Sequence, residues 1–284
     1  MNLDLNEKKA AALLIEMALA EDVGGGDVTS DNLIPPHDKR TAYMITKSEG
    51  VVAGLEVAQM VFAKLDSDLK WIPQVNDGDN VPKGTVIVRF SATYRAILTG
   101  ERTALNFLQR MSGIATESHR YAEAVAGFKT KILDTRKTLP GFRLLDKYAV
   151  RAGGASNHRI GLYDMVMIKD NHIVIAGGIG PAVKTVRDAI GHSLKVEVET
   201  TNLDEVAEAL EAGADIIMLD NMDTVTMAKA VVLIGGKAET EASGNMNLSR
   251  LKEVAATGVD YISVGALTHS VQALDISQRI EESI

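Results

Sequence analysis

The 284-residue chain contains no cysteine. Disulfide scaffolds and thiolate metal sites are therefore excluded, and a reducing compartment, the cytoplasm, is the expected setting. Aromatic residues are scarce, with 5 Phe, 6 Tyr and 1 Trp, too few to build stacking platforms for single-stranded nucleic acid. Basic charge is not in excess either. Thirty Lys/Arg against 38 Asp/Glu leave a net charge of −8, which disfavours general affinity for nucleic acid. Long apolar runs are missing too. The most apolar early stretch, AALLIEMALA (11–20), is broken by Glu16 and falls well short of the ~20 residues of a membrane span. Its apolar residues recur at helical spacing and predict a helix docked on a core. The opening MNLDLNEKKA is of mixed charge and precedes no cleavage-like site, so no secretory leader is expected.

At roughly 150 residues per domain, the length corresponds to one large domain or two modest ones, enough to bury a core without staples. Two patterns divide it. Between Arg40 and Ala92, short β-rich runs at 42–47, 51–55 and 85–92 are separated by the turn signals NDGDN (76–80) and PKG (82–84). They predict a small sheet with helices at its edges. GERTALNFLQRMSGIAT (100–116) then places Leu105, Leu108 and Met111 on one helical face. From about residue 130 the chain repeats strand, loop and helix. Strands are predicted at 131–135, 165–170, 195–200, 215–220, 237–243 and 261–265, with amphipathic stretches such as 204–213 between them. Short apolar strands alternating with helices imply a parallel sheet buried on both faces. TNLDEVAEALEAGAD (201–215) also echoes MNLSRLKEVAATGVD (246–260), two βα units further on. Six such units in so short a stretch favour a closed barrel over an open sheet.

Each barrel strand ends in a polar or small residue: Asp134 followed by Arg136 and Lys137, then Lys169, Glu199, Asp220, Ser243 and Gly265. In an α/β barrel all C-terminal strand ends converge on one face, where sites are built. A single strand-end charge is commonly a helix cap or a solvated group. Six strands in six point to a mouth where cations face anions. The segment 131–172 agrees, with eight Lys/Arg against four Asp in an acidic chain. It is either a basic helix face or a pocket for a small anion. SGN (243–245) and SVGA (263–266), small residues before helix starts, suit a phosphate. Other motifs fall away. GGIGPA (177–182) has Val183 where a dinucleotide fingerprint needs its third glycine, and Pro181 marks a first helical turn. GGKA (235–238) is not a phosphate loop, and no HExxH or GxSxG occurs. EDVGGGDVTS (21–30) reads as a turn or flap.

At DTRKTLPGFRLLDKYAVRAGGASNHRIGLYDMVMIKDNH (134–172) the chain becomes specific. It resembles the quinolinate phosphoribosyltransferase family. The likeness extends through EDVGGGDVTS (21–30), GERTALNFLQRMSGIAT (100–116), VEVET (196–200), MLDNM (218–222), EASGN (241–245) and YISVGALTHS (261–270). The related ModD-like proteins of molybdate operons share DTRKT, but this chain also carries the distinguishing NHR (157–159) and IKDNH (168–172). The resemblance implies an N-terminal α/β sandwich over 1–112 and an incomplete parallel α/β barrel over 113–269. A C-terminal helix at about 270–284 would return to the first domain. The implied reaction joins quinolinate to phosphoribosyl pyrophosphate, giving nicotinate mononucleotide, pyrophosphate and carbon dioxide, with Mg²⁺. The implied assembly is a homodimer in which each mouth is completed by the neighbour's first domain.

The same resemblance implies the site residues. Arg136, His158, Arg159 and Lys169 would surround the pyridine diacid, with Arg102 reaching in from the other subunit. Two carboxylates need such fixed cations, Arg as a fork and Lys as a point charge. Glu199 and Asp220 would stabilise the oxocarbenium-like ribose centre, directly or through Mg²⁺. Lys137 suits the pyrophosphate. Ser243, Gly244, Ser263 and Gly265 suit the 5′-phosphate, with His269 assisting. His172 is expected to order the loop after Lys169. Arg143, Lys147 and Arg151 are expected on a solvated helix face.

Overall fold

The computed structural model describes residues 1–281, which divide into two compact units. The first comprises residues 1–119, 138–154 and the chain from 267 onward. Its elements begin with α1 (Leu5–Val23), α2 (Ser30–Leu33), β1 (Lys39–Thr46), β2 (Gly50–Val51) and α3 (Leu55–Leu65). They continue with β3 (Lys70–Pro73), β4 (Asn80–Val81), β5 (Val86–Thr93) and the long α4 (Tyr94–Ala124). Asp4 starts α1 with a capping box: its carboxylate accepts from the Asn6 and Glu7 amides, and Glu7 accepts from the Asp4 amide at 2.8 Å. Ala11, Ile15 and Leu19, spaced by four, are the buried stripe of this docked helix. Around the sheet, Phe62 meets Phe90 and Trp71 with ring centroids 4.6 and 6.0 Å apart, a small aromatic core.

The expected C-terminal helix is replaced by a strand. Ile276–Ile280 forms β12, antiparallel to β1 with Ala42 opposite Ile280, and the sheet order is β12-β1-β5-β3. Ile276 and Gln278 are buried while Arg279 is exposed, the two-residue period of a strand. Residues 282–284 lie outside the described residues. Gly113 makes room for the returning chain. A Cβ there would lie 2.2 Å from the Gln272 carbonyl oxygen.

A second correction concerns α5 (Arg143–Ala152), which belongs to the first unit and not to the barrel. Its basic residues are not on a solvated face. Lys147 is 1% exposed, Arg143 donates to Thr138, and Arg151 pairs with Glu7. Asp146 is fully buried and receives two bonds from the Arg110 guanidinium at 3.0 and 2.7 Å. Tyr148 donates to Asp77 Oδ2 at 2.8 Å. Polarity predicted exposure here, whereas mutual pairing lets these charges be buried. Removing one partner of such a pair is costly, so Arg110→Ala is expected to destabilise the protein by about 3–5 kcal/mol in urea unfolding. A loss under about 1 kcal/mol would show that the pair contributes no more than a surface contact.

The second unit, residues 120–137 and 155–266, carries β6 (Lys131–Leu133), β7 (Val166–Ile168), β8 (Val196–Thr200), β9 (Ile216–Asp220), β10 (Glu239–Ser243) and β11 (Tyr261–Ser263). All six strands predicted from the sequence are present. They pair in parallel in the order β6-β11-β10-β9-β8-β7. Between them run α6 (Asp170–Ala176), α7 (Ile179–Ile190), α8 (Leu203–Glu211), α9 (Thr224–Ile234) and α10 (Leu251–Ala256), with α11 (Ala266–His269) after β11. Asn202 and Asp223 cap α8 and α9 through the Glu205 and Thr226 amides. The edges β6 and β7 do not pair directly. Ser156 bridges to Leu133 of β6, and Arg159 donates to the Met165 carbonyl beside β7 at 3.1 Å. One irregular segment thus spans the gap, as an incomplete barrel requires. No helix among the described residues is long and apolar enough to cross a membrane.

Candidate active site

Because the six strands are parallel, their C-terminal ends lie on one face. Lys169 follows β7 as the cap residue of α6, and its ammonium pairs with Glu199 of the neighbouring β8. His172 accepts from the Lys169 amide at 3.0 Å, so it does order this loop. Asp220 ends β9 and sits in register with Ser243, which ends β10. Arg136, after β6, is close enough to Arg159 to act on it electrostatically. Burial first, and then the like charge of Arg136, lower the Arg159 pKa. Two like charges that act on each other in this way favour an anion nearby.

The loops after β9 and β10 are laced together by two residues without assigned roles in the sequence reading, Asn221 and Asn245. Both are left-handed, with φ of 54° and 53°. Asn221 donates to Asp220 Oδ2 at 2.6 Å and, through its amide, to the Ser243 carbonyl at 3.0 Å. Asn245 donates to Asn221 Oδ1 at 3.3 Å. Gly244 lies between with φ of +91°, and a Cβ there would lie 2.2 Å from Asn221 Oδ1. Only glycine fits. Arg250 fastens both loops by donating to the Gly244 and Met222 carbonyls. Ser263 is buried at the end of β11 opposite Leu133, with Gly265 half-buried after it. Lys137 is exposed. Arg102 and His269 belong to the first unit, where both are exposed.

Beneath the mouth lies a cluster the strand ends do not announce. His158 Nε2 stands 3.1 Å from Glu197 and 3.2 Å from Glu241, two carboxylates 0% and 1% exposed. Its Nδ1 accepts from the Arg159 amide at 2.7 Å. Burial disfavours charge on His158, but the carboxylates outweigh it and push its pKa up to about 10. Burial and the Glu241 charge push Glu197 up to about 7. Because Nδ1 accepts from the Arg159 amide, the ring carries its N–H at Nε2, facing the two carboxylates. The sequence expectation placed His158 against the diacid; in the structure its Nε2 lies between the two buried carboxylates. Glu197 and Glu241 were legible in principle. VEVET and ETEAS alternate Glu with apolar or small residues, a polar stripe inside a sheet otherwise expected to be apolar on both faces.

Two other features are set aside on chemical grounds. A cavity of about 550 Å³ lies at the opposite, N-terminal strand ends, but its Lys129 and Lys195 already pair with Asp260 and Glu239. His158, Glu197 and Glu241 are also the one set of three among the described residues whose donor atoms approach within 4.8 Å. For a hard cation such as Mg²⁺, Glu199 and Asp220 fit better. They are half-buried oxygen donors on adjacent strands that open to the mouth, where ligand phosphates can complete the shell.

A parallel α/β barrel whose mouth sets guanidinium and ammonium groups beside two carboxylates and a glycine loop defines a class: enzymes acting on small polyanionic substrates. The comparisons make this particular, and the chain belongs to the quinolinate phosphoribosyltransferase family. Residues 27–112 match the family's N-terminal domain and residues 114–279 its C-terminal domain. The chain is 46% identical to Nicotiana glauca quinolinate phosphoribosyltransferase [decarboxylating] 2, mitochondrial, covering 95% of this chain and 82% of that one. It is 45% identical to the probable nicotinate-nucleotide pyrophosphorylase [carboxylating] of a Synechocystis strain, covering 94% and 91%. Among solved structures it is similar to NadC from Streptococcus pyogenes, with a TM-score of 0.94, 38% identity and coverage of 99% and 100%. The Francisella tularensis nicotinate-nucleotide pyrophosphorylase gives 0.91, 42% identity and 96% of each chain.

Proposed function

We propose that this protein transfers the phosphoribosyl group of phosphoribosyl pyrophosphate to quinolinate, with loss of carbon dioxide, in pyridine nucleotide and NAD biosynthesis. The observation that carries the reading is a Lys169 ammonium held by Glu199 at neighbouring strand ends, in a barrel unit that also carries Arg136 and Arg159. Two guanidiniums and an ammonium match a vicinal diacid, each charge-assisted contact contributing about 1.5–3 kcal/mol.

The Lys169–Glu199 pair suggests how binding leads to chemistry. A quinolinate carboxylate that takes Lys169 displaces Glu199 from the ammonium, which leaves the Glu199 charge directed at the ribose. As the C1–O bond to pyrophosphate breaks, positive charge develops on the ribose, and Glu199 and Asp220 stabilise it. The pyridine nitrogen lone pair forms the new bond to C1. The nitrogen is then cationic, and the 2-carboxylate leaves as carbon dioxide. The bonding pair it leaves at C2 is stabilised by the nearby cations and then takes a proton. Glu199 and Asp220 are also the residues that would hold Mg²⁺, whose charge neutralises the departing diphosphate. Lys137, exposed at the rim, suits that diphosphate. Ser243, Gly244, Ser263 and Gly265 suit the 5′-phosphate, with His269 assisting.

The assembly that suits this chemistry is a homodimer in which the partner supplies Arg102. Support comes from the exposure of Arg102 on α4, and from Leu162, Tyr163, Val174 and Ile175, all at least 73% exposed near the mouth loops. The cysteine-free composition suits a cytoplasmic setting. Pyrophosphate release on mixing with phosphoribosyl pyrophosphate tests the reaction. Quinolinate should support it and nicotinate, with a single carboxylate, should not. Equal release with both would point to a different acceptor.

A further inference from the structure

We propose that the buried Glu197–Glu241 pair is a positioning device for diacid recognition: it fixes the His158 ring, and the ring fixes Arg159. The inference rests on the reading that Arg159 grips quinolinate. His158 connects the two layers physically, with Nε2 between the carboxylates at 3.1 and 3.2 Å and Nδ1 on the Arg159 amide at 2.7 Å. With Nδ1 accepting from the Arg159 amide, the ring presents its N–H at Nε2 to the two carboxylates, which confine it from two sides. The preceding residues are held from elsewhere. Asp134, fully buried after β6, accepts from the His158 amide at 2.8 Å and the Asn157 side chain at 2.7 Å.

The Arg159 side chain is braced at its far end by the Met165 carbonyl at 3.1 Å and Met167 Sδ at 3.6 Å. Its main chain depends on the imidazole. Residues 155–165 contain no strand or helix, so the backbone ladder does not hold the Arg159 main chain. The buried triad does. Burying two carboxylates side by side is costly unless they are matched, and a purely structural barrel interior would be served by apolar residues. Bidentate recognition of a carboxylate tolerates little displacement, and a shift of about 1 Å at a positioning group can cost a hundredfold in rate. Glu197 and Glu241 act through His158 and Arg159 and do not touch the diacid.

Steady-state kinetics with each substrate varied in turn test the proposal, in Glu241→Leu, Glu241→Gln and an Arg159→Ala control. Glu241→Leu should raise the quinolinate KM about tenfold or more while leaving the phosphoribosyl pyrophosphate KM within about twofold. Glu241→Gln keeps an acceptor beside Nε2 and should restore the quinolinate KM to within about threefold of wild type. Should Glu241→Leu not fold, Glu241→Asp, which withdraws the carboxylate by one methylene, should raise the quinolinate KM by about fivefold. An unchanged quinolinate KM in the folded Leu or Asp variant, or an equal rise in both KM values, overturns the inference. If Arg159→Ala leaves the quinolinate KM unchanged, the underlying reading of Arg159 fails and the inference falls with it. A stoichiometric metal ion in the purified protein, lost in Glu241→Leu, would also overturn it by making the triad a metal site.

Discussion

Lys169→Ala is expected to lower kcat/KM for quinolinate by about 10- to 150-fold, the equivalent of one charge-assisted contact of about 1.5–3 kcal/mol. The fold should not suffer. The Lys169 side chain is 44% exposed, and its pair with Glu199 is of the partly solvated kind that contributes little to stability. A thermal midpoint matching wild type, together with the kinetic loss, separates recognition from folding. Arg102→Ala should give a comparable loss if the partner subunit completes the mouth. Mixing the two impaired proteins then has a numerical outcome. After random exchange, about half the dimers are mixed, and each mixed dimer has one intact site of two, so about a quarter of wild-type activity returns. No recovery after verified exchange would rule out shared sites, and near-normal turnover in either variant would remove that residue from the site.

Glu199→Gln and Asp220→Asn carry the second large effect. A unit charge about 4 Å from a developing cation contributes about 4 kcal/mol at an effective dielectric of 20, so each variant should lose about 10³-fold in kcat. The loss belongs in kcat more than in either KM, because the ribose cation exists only in the transition state. The double variant distinguishes two routes. If each carboxylate acts directly on the ribose, the losses multiply. If both act through one Mg²⁺, the second substitution adds little once the first has removed the ion. A loss confined to KM would move both residues from the reacting centre to ground-state binding.

The barrel was legible because its two periodicities are strong: apolar strands of four to six residues between helices, repeated. All six strands fall within a few residues of expectation, and the strand ends placed Lys169, Glu199, Asp220 and Ser243 on one face. What escaped is informative. β12 was expected as helix from the family resemblance, although Ile276 and Gln278 alternate inward as only a strand allows. α5 was expected to be solvated because its charges are many, whereas Arg110, Asp146, Arg151 and Glu7 satisfy one another within the first unit. Composition reports that charges are present and not whether they are paired. The Glu197–His158–Glu241 triad escaped for a related reason. Its members are 39 and 44 residues apart in sequence, and only the folded barrel brings them together. The basic segment 131–172 likewise resolves into two populations once folded. Arg136, Arg159 and Lys169 belong to the barrel unit, while Arg143, Lys147 and Arg151 belong to the first unit.

The central claim is that a diacid is bound at this mouth and decarboxylated there as the phosphoribosyl group is transferred. Quinolinate labelled in its 2-carboxylate, turned over with phosphoribosyl pyrophosphate, tests it directly. One labelled carbon dioxide should appear for each pyrophosphate released, with the 3-carboxylate retained in the nucleotide product. Pyrophosphate released without labelled carbon dioxide would contradict it.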